Sequence, residues 1–133
     1  MLKLVDSGAR SNLPFSPAFI AGGLMFVSGQ ASVDRDNGAI ITGTFEEEMR
    51  RSIENLRAIL EAGGLSLEHV VNVKSYVARE EDVALYNKIY PEYFSEPRPS
   101  RSTIVGVLGS KLKFELDCVA YTGATRQQAV RIA

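Results

Sequence analysis

Two neighbouring stretches decide how this chain is read: Pro97-Arg98-Pro99-Ser100-Arg101-Ser102-Thr103-Ile104-Val105 and Lys113-Phe114-Glu115-Leu116-Asp117-Cys118-Val119-Ala120-Tyr121. A proline cannot donate to a sheet ladder, so the first strand starts after Pro99. Side chains alternate along a strand, which puts Arg101, Thr103 and Val105 on one face. In the second stretch Lys113, Glu115, Asp117, Val119 and Tyr121 share a face, opposite Phe114, Leu116, Cys118 and Ala120. If the two strands pair across Gly106 to Ser110, a fixed guanidinium lies near a fixed carboxylate. Such a pair suits a small carboxylated ligand: arginine grips its carboxylate through a planar fork of donors, and the acid manages water and protons. The plain alternative is an edge-strand arginine and a solvated glutamate.

Upstream, Val70 to Val77 alternates as a strand, with Val71, Val73, Ser75 and Val77 on one face. Glu80, Glu81 and Asp82 follow, where acids favour a helix start, and Val83, Tyr86, Ile89, Tyr90, Tyr93 and Phe94 supply the buried side of that helix. Pro91 falls inside the pattern and is expected to kink or divide it. Asn87 lies beside the aromatic stripe, either solvated or with a structural or ligand role. The clearest helix runs from Thr44 to Ala62: Thr44 and Glu47 make a capping box, Phe45, Met49, Ile53, Leu56, Ile59 and Leu60 form one apolar stripe, and Gly63-Gly64 ends it.

Nearer the N-terminus, Leu2 to Val5 reads as an edge strand and Ser7 to Pro17 as a loop that carries Phe15 between prolines. Phe15 is read either as functional or as a plug over the core. Phe19-Ile20 leads to a turn at Gly22-Gly23, then Leu24-Met25-Phe26-Val27-Ser28 forms a continuous apolar strand that suggests burial on both faces. Gly29 allows the backbone to approach a ligand or another chain closely, or marks a bulge. The order strand, strand, strand, helix, strand, helix, strand, strand gives an α+β sandwich with both helices on one face of a mixed sheet. Nothing is left to cover the second face, which Val71, Val73, Val105 or their neighbours would line. Self-association is expected.

The 133 residues fit one domain over 1–133. With 45% apolar and 23% charged residues, a disordered or membrane-embedded chain is not expected. A formal charge of −1 gives no pull toward nucleic acid or an anionic membrane, so neither is expected as a partner. The one cysteine, Cys118, excludes an intrachain disulfide and is expected to be buried and inert. That cysteine count and the lack of a leader-like N-terminus suggest a cytoplasmic protein. There is no phosphate loop and no Gly-x-Gly-x-x-Gly motif. His69, the single histidine, is expected at the surface rather than in a triad or metal cluster. What remains is arginine, glutamate and backbone amides, with no cofactor and no metal.

Several short motifs now align in order from Pro14 to Tyr121. They are Pro14-Phe15-Ser16-Pro17-Ala18, Leu24-Met25-Phe26-Val27-Ser28-Gly29-Gln30, Glu54-Asn55-Leu56 with Leu60-Glu61-Ala62-Gly63, Pro99-Ser100-Arg101-Ser102-Thr103, and Phe114-Glu115-Leu116-Asp117. Together they resemble the Rid (YjgF) family of enamine and imine deaminases. The resemblance implies a chorismate-mutase-like α+β sandwich with a mixed six-stranded sheet. It also implies a homotrimer with sites at the subunit interfaces. By position it implies that Arg101 binds the substrate carboxylate and that Glu115 positions or activates water. Phe15, Ser28, Gly29, Asn87 and Thr103 would line the site. Phe15 stands where well-studied members have tyrosine, and Thr103 where many have cysteine. The link from Val107 to Lys113 lacks the usual Leu-Pro and is one residue shorter.

The implied reaction is hydrolysis of reactive 2-imino or 2-enamino acids, such as 2-aminoacrylate, to 2-keto acids and ammonia. One alternative keeps the site and changes the substrate, to a larger imine or an aminomuconate-type enamine. Another is a non-catalytic trimeric module that binds small carboxylates, and a last one a structural trimer with a vestigial pocket.

Overall fold

The computed structural model describes residues 1–133. The strands are β1 (Lys3–Val5), β2 (Ala18–Ala21), β3 (Leu24–Ala31), β4 (Val70–Val77), β5 (Ser100–Val105) and β6 (Phe114–Tyr121); the helices are α1 (Phe45–Ala62) and α2 (Val83–Tyr93). The strands form one six-stranded sheet in the order β1-β2-β3-β6-β4-β5. Only β4 and β5 pair in parallel; the other pairs are antiparallel. The expected mixed sheet is therefore present, and β1 is an edge as anticipated.

The expected β5–β6 pairing is not present. β5 pairs with β4, Arg101 level with Val73, and β6 is inserted between β3 and β4. The cause is β4-α2-β5, a crossover unit that returns the chain parallel to its start. The short link from Gly106 to Lys113 then carries the chain around β4 instead of closing a hairpin.

Thr44 caps α1 as its sequence requires: its side chain accepts from Glu47 N and the Glu47 carboxylate accepts from Thr44 N, at 3.2 and 2.8 Å. The acids Glu80 to Asp82 form a 3-10 turn ahead of α2 rather than its first turn. Pro91 neither divides nor ends α2, which runs two residues further to Tyr93. Both helices cover the same sheet face, because Phe114 of β6 packs against Phe45 of α1 and Tyr86 of α2, with ring centroids 5.9 and 5.8 Å apart. The core there includes Met25, Val27, Met49, Ile53, Leu56, Val73, Val77, Leu116 and Cys118.

The other face is open. In β3, Met25 and Val27 are buried while Phe26 is 46% exposed, so the strand is covered on one side and not on both. A register shift between Val70 and Asn72 turns Val71 outward and leaves Val73 facing the helices. Val105 shares the helix side with Arg101. The open face is therefore lined by Phe26, Val71 and Tyr121, 46, 38 and 45% exposed, and not by Val73 or Val105.

No helix is long and apolar enough to cross a membrane. The C-terminal Arg126–Gln128 makes a 3-10 turn. Arg126 is buried there with no carboxylate partner, its guanidinium donating to the carbonyls of Leu67, Val70, Ser95 and Pro97 at 2.6 to 3.0 Å. The turn thereby clasps the α2–β5 link.

Candidate functional site

Arg101 projects from the helix side of the edge strand β5 onto α2. Its Nη2 donates to Asn87 Oδ1 at 2.9 Å. Its guanidinium carbon lies 4.8 and 4.7 Å from the ring centroids of Tyr86 and Tyr90. Two aromatic faces and an amide thus hold the cation while its remaining donors face solvent. No carboxylate forms an ion pair with it. Two residues along, the Thr103 hydroxyl donates to the Tyr86 hydroxyl at 3.3 Å and braces that ring. Tyr86 and Tyr90 read in the sequence as core residues at helical spacing. Nothing in that spacing marks their contact with Arg101.

Glu115 lies elsewhere. Arg101 is level with Val73, which is level with Cys118, a residue buried on the helix side. Glu115, three residues from Cys118, points to the open side. Two strand spacings and three residue steps separate the two backbones, roughly 10 Å in each direction, and the sheet stands between the side chains. One chain does not bring Arg101 and Glu115 together.

Around Glu115 is a cleft of about 530 Å³, lined by Leu13, Phe15, Ser28, Gly29, Ile40 and Leu112 among others. Phe15 is 44% exposed and is a wall of this cleft rather than a plug over the core. The Ser28 hydroxyl donates to Ser16 O at 2.6 Å, tying the Phe15 loop to β3. The same loop is pinned at Gly8, whose φ is +101° and whose added Cβ would lie 2.5 Å from Ala58 O of α1. Gly29 lies in a bulge, where the β3–β6 register shifts between Val27 and Gln30. It also permits a close approach, because a Cβ there would fall 2.7 Å from Glu115 Oε2. The bulge reading of this glycine holds, and its close neighbour is the chain's own Glu115. Leu13, Ile40 and Leu112 come from loops without periodicity, so no sequence pattern marked them.

The start of β6 is fixed by Glu48, fully buried in α1. Its carboxylate accepts from Lys113 N, Lys113 Nζ and Gly43 N at 3.0, 3.1 and 3.1 Å. Burial is the main cause that raises the Glu115 pKa above the ordinary carboxylate value, and the charge of Asp117 adds to it. Burial likewise drives the Cys118 thiol far up, as expected of an inert core cysteine. His69 Nδ1 caps a 3-10 turn through Ser66 N at 3.1 Å.

The sequence profile of the family described as Endoribonuclease L-PSP matches residues 8–122. The chain belongs to that family, the YjgF or Rid family. A RutC family protein of Pyrococcus horikoshii is 38% identical over 109 residues, 81% of this chain and 86% of its own length. A 2-iminobutanoate/2-iminopropanoate deaminase of Dermatophagoides farinae is 28% identical over 107 residues, 80% of this chain and 84% of that protein. Among solved structures, a Thermotoga maritima protein is 35% identical and superposes with a TM-score of 0.79, covering 92% of this chain and 97% of its own.

Proposed function

We propose that the protein hydrolyses reactive 2-imino and 2-enamino acids to 2-keto acids and ammonia, as a homotrimer with sites between subunits. The observation that carries this reading is the separation of its two halves. Arg101, held by Asn87 and two tyrosines, has no carboxylate partner. Glu115 sits in a cleft on the other side of the same sheet. Each half lacks what the other offers, and the open face carrying Phe26, Val71 and Tyr121 supports assembly of copies.

In this reading Arg101 of one subunit grips the substrate carboxylate, oriented by Asn87, with Thr103 beside it. The imine carbon is directed into the neighbouring cleft between Phe15, Ser28 and Gly29. Glu115 takes a proton from water as the water oxygen adds to that carbon. That proton passes to nitrogen to give a carbinolamine; Glu115 then carries the hydroxyl proton to the amine as the C–N bond breaks, so ammonia leaves and the C=O of the keto acid forms. An imine carbon is already electrophilic, so orientation and one acid–base group suffice. Phe15 removes the tyrosine hydroxyl of related sites and leaves an apolar wall. The named activity of the mite relative agrees with this chemistry.

The direct test generates 2-aminoacrylate with a serine dehydratase and follows keto-acid release. Acceleration by the native protein and its loss in Arg101→Ala are expected. An Arg101→Ala protein as fast as the native one would sink the carboxylate clamp.

A further inference from the structure

Glu115 is not the only acid on its side of the sheet. Asp117 follows two residues later on the same face of β6, about 7 Å further along. It is held there: the Tyr76 hydroxyl of β4 donates to Asp117 Oδ2 at 3.1 Å. In the strand register Tyr76 stands level with Glu115, and Lys74 with Asp117. The hydroxyl of Tyr76 thus spans from the row of one acid to the other. Burial, with both carboxylates adding to it, raises the Tyr76 pKa, so the phenol stays a donor throughout the neutral range.

Within one chain the other groups around Glu115 leave Asp117 as its main charged neighbour; in the proposed assembly Arg101 of the next subunit also faces the cleft, a cation common to the native protein and the Asp117 variants. On β3 its level partner is Ala31. On its own strand side, the Lys113 ammonium turns to the buried Glu48 at 3.1 Å. Arg10 lines the cleft from the loop before β2. Lys74 lies one register step away, beside Asp117. Burial first, and then the charge of Asp117, raise the Glu115 pKa.

We propose that Asp117, fixed by Tyr76, is the positioning acid of this site: its charge, on top of burial, shifts the pH at which Glu115 gives up its proton to become the base. The inference rests on the reading of Glu115 as the group that activates water. A like charge nearby disfavours ionisation. It makes Glu115 a stronger base once ionised and moves the acid limb of the rate profile toward neutrality.

The test has two readouts. The first is kcat/KM against pH for one imine substrate, in the native protein, Asp117→Asn and Asp117→Glu. Asp117→Asn should move the acid limb down by about one pH unit, which is about tenfold more relative activity below the native midpoint. Asp117→Glu keeps the charge and should keep the limb. A purely structural role would lower the rate without moving the midpoint. The second readout needs no variant to fold and no turnover: carboxyl carbon NMR titration of the native protein. Coupled acids titrate together, so the Glu115 signal should titrate above the ordinary carboxylate range and depart from a single-site curve. Independent single-step titrations, or an unmoved limb in a folded Asp117→Asn, overturn the proposal. A native protein that hydrolyses no imine defeats the deaminase reading instead, while the NMR coupling still decides the role of Asp117.

Discussion

Arg101 is a cation between two tyrosine faces, and that setting fixes what its replacements do. On the proposed clamp, Arg101→Ala should remove a charge-assisted grip and cost a factor of about 100 in kcat/KM, in kcat as well as KM. Arg101→Lys keeps the charge but loses the planar fork and the stacking on Tyr86 and Tyr90, so it should fall between alanine and native. Steady-state kinetics on a single imine checks the order. Glu115 makes a different prediction, in stability. Its pKa is raised in the folded chain, so the folded chain binds this proton more tightly than the unfolded one. The contribution of Glu115 to stability is therefore present at low pH and lost as pH rises through the folded pKa. Glu115→Gln, which cannot ionise, should melt at a higher temperature than native at pH 8, and the gap should close as pH falls. Melting curves across that range, in one buffer series, read the difference directly. A gap that widens toward acid would contradict the assigned direction.

At the scale of elements, the bulge of β3 and the start of β6 form one device. Gly29 has room for no Cβ, because Glu115 Oε2 occupies the place 2.7 Å away. The obstructing atom ends a flexible side chain, so Gly29→Ala should displace Glu115 without straining the backbone. Stability should change by less than about 0.5 kcal/mol, while kcat falls sharply. Denaturant melts and kinetics on the same preparation separate the two. How far the elements could be read from sequence follows the range of the interactions that fix them. The Thr44–Glu47 box and the apolar stripe of α1 are local, and the strand Val70–Val77 is bounded as its alternation implies. Pairing is not local. The eight residues from Gly106 to Lys113 look like a hairpin, but the β4-α2-β5 crossover places β5 beside β4 and leaves β6 between β3 and β4. The face of β4 was misread for a related reason: one bulge near Val71 reverses the alternation counted from it. Motifs singled out Arg101, Glu115 and Gly29, and a place beside the aromatic stripe singled out Asn87; the structure sets Arg101 against Asn87 and Glu115 against Gly29. Their partners Tyr86, Tyr90, Leu13 and Leu112 were not legible, since an apolar or aromatic side chain at a helical or loop position carries no mark of what it touches.

At the scale of the molecule, if Arg101 and Glu115 act as proposed, their placement on opposite sides of one sheet makes assembly a condition for chemistry. In a closed ring of copies, each site would take Arg101 from one subunit and Glu115 from the next. Two consequences separate this arrangement from a site within one chain. Phe26→Asp places a charge on the open apolar face, where Phe26 is 46% exposed, and should yield a folded but smaller species without activity. The sharper experiment mixes two inactive proteins. Arg101→Ala supplies intact Glu115 clefts, and Glu115→Ala supplies intact Arg101 clamps. Unfolded together at equal concentration and refolded, they assemble at random, and about a quarter of the sites combine a native cleft with a native clamp. Activity should therefore rise from near zero to about a quarter of the native value, while each variant refolded alone stays inactive. A site confined to one chain gives no recovery at any mixing ratio, because every chain in the mixture lacks one of the two groups.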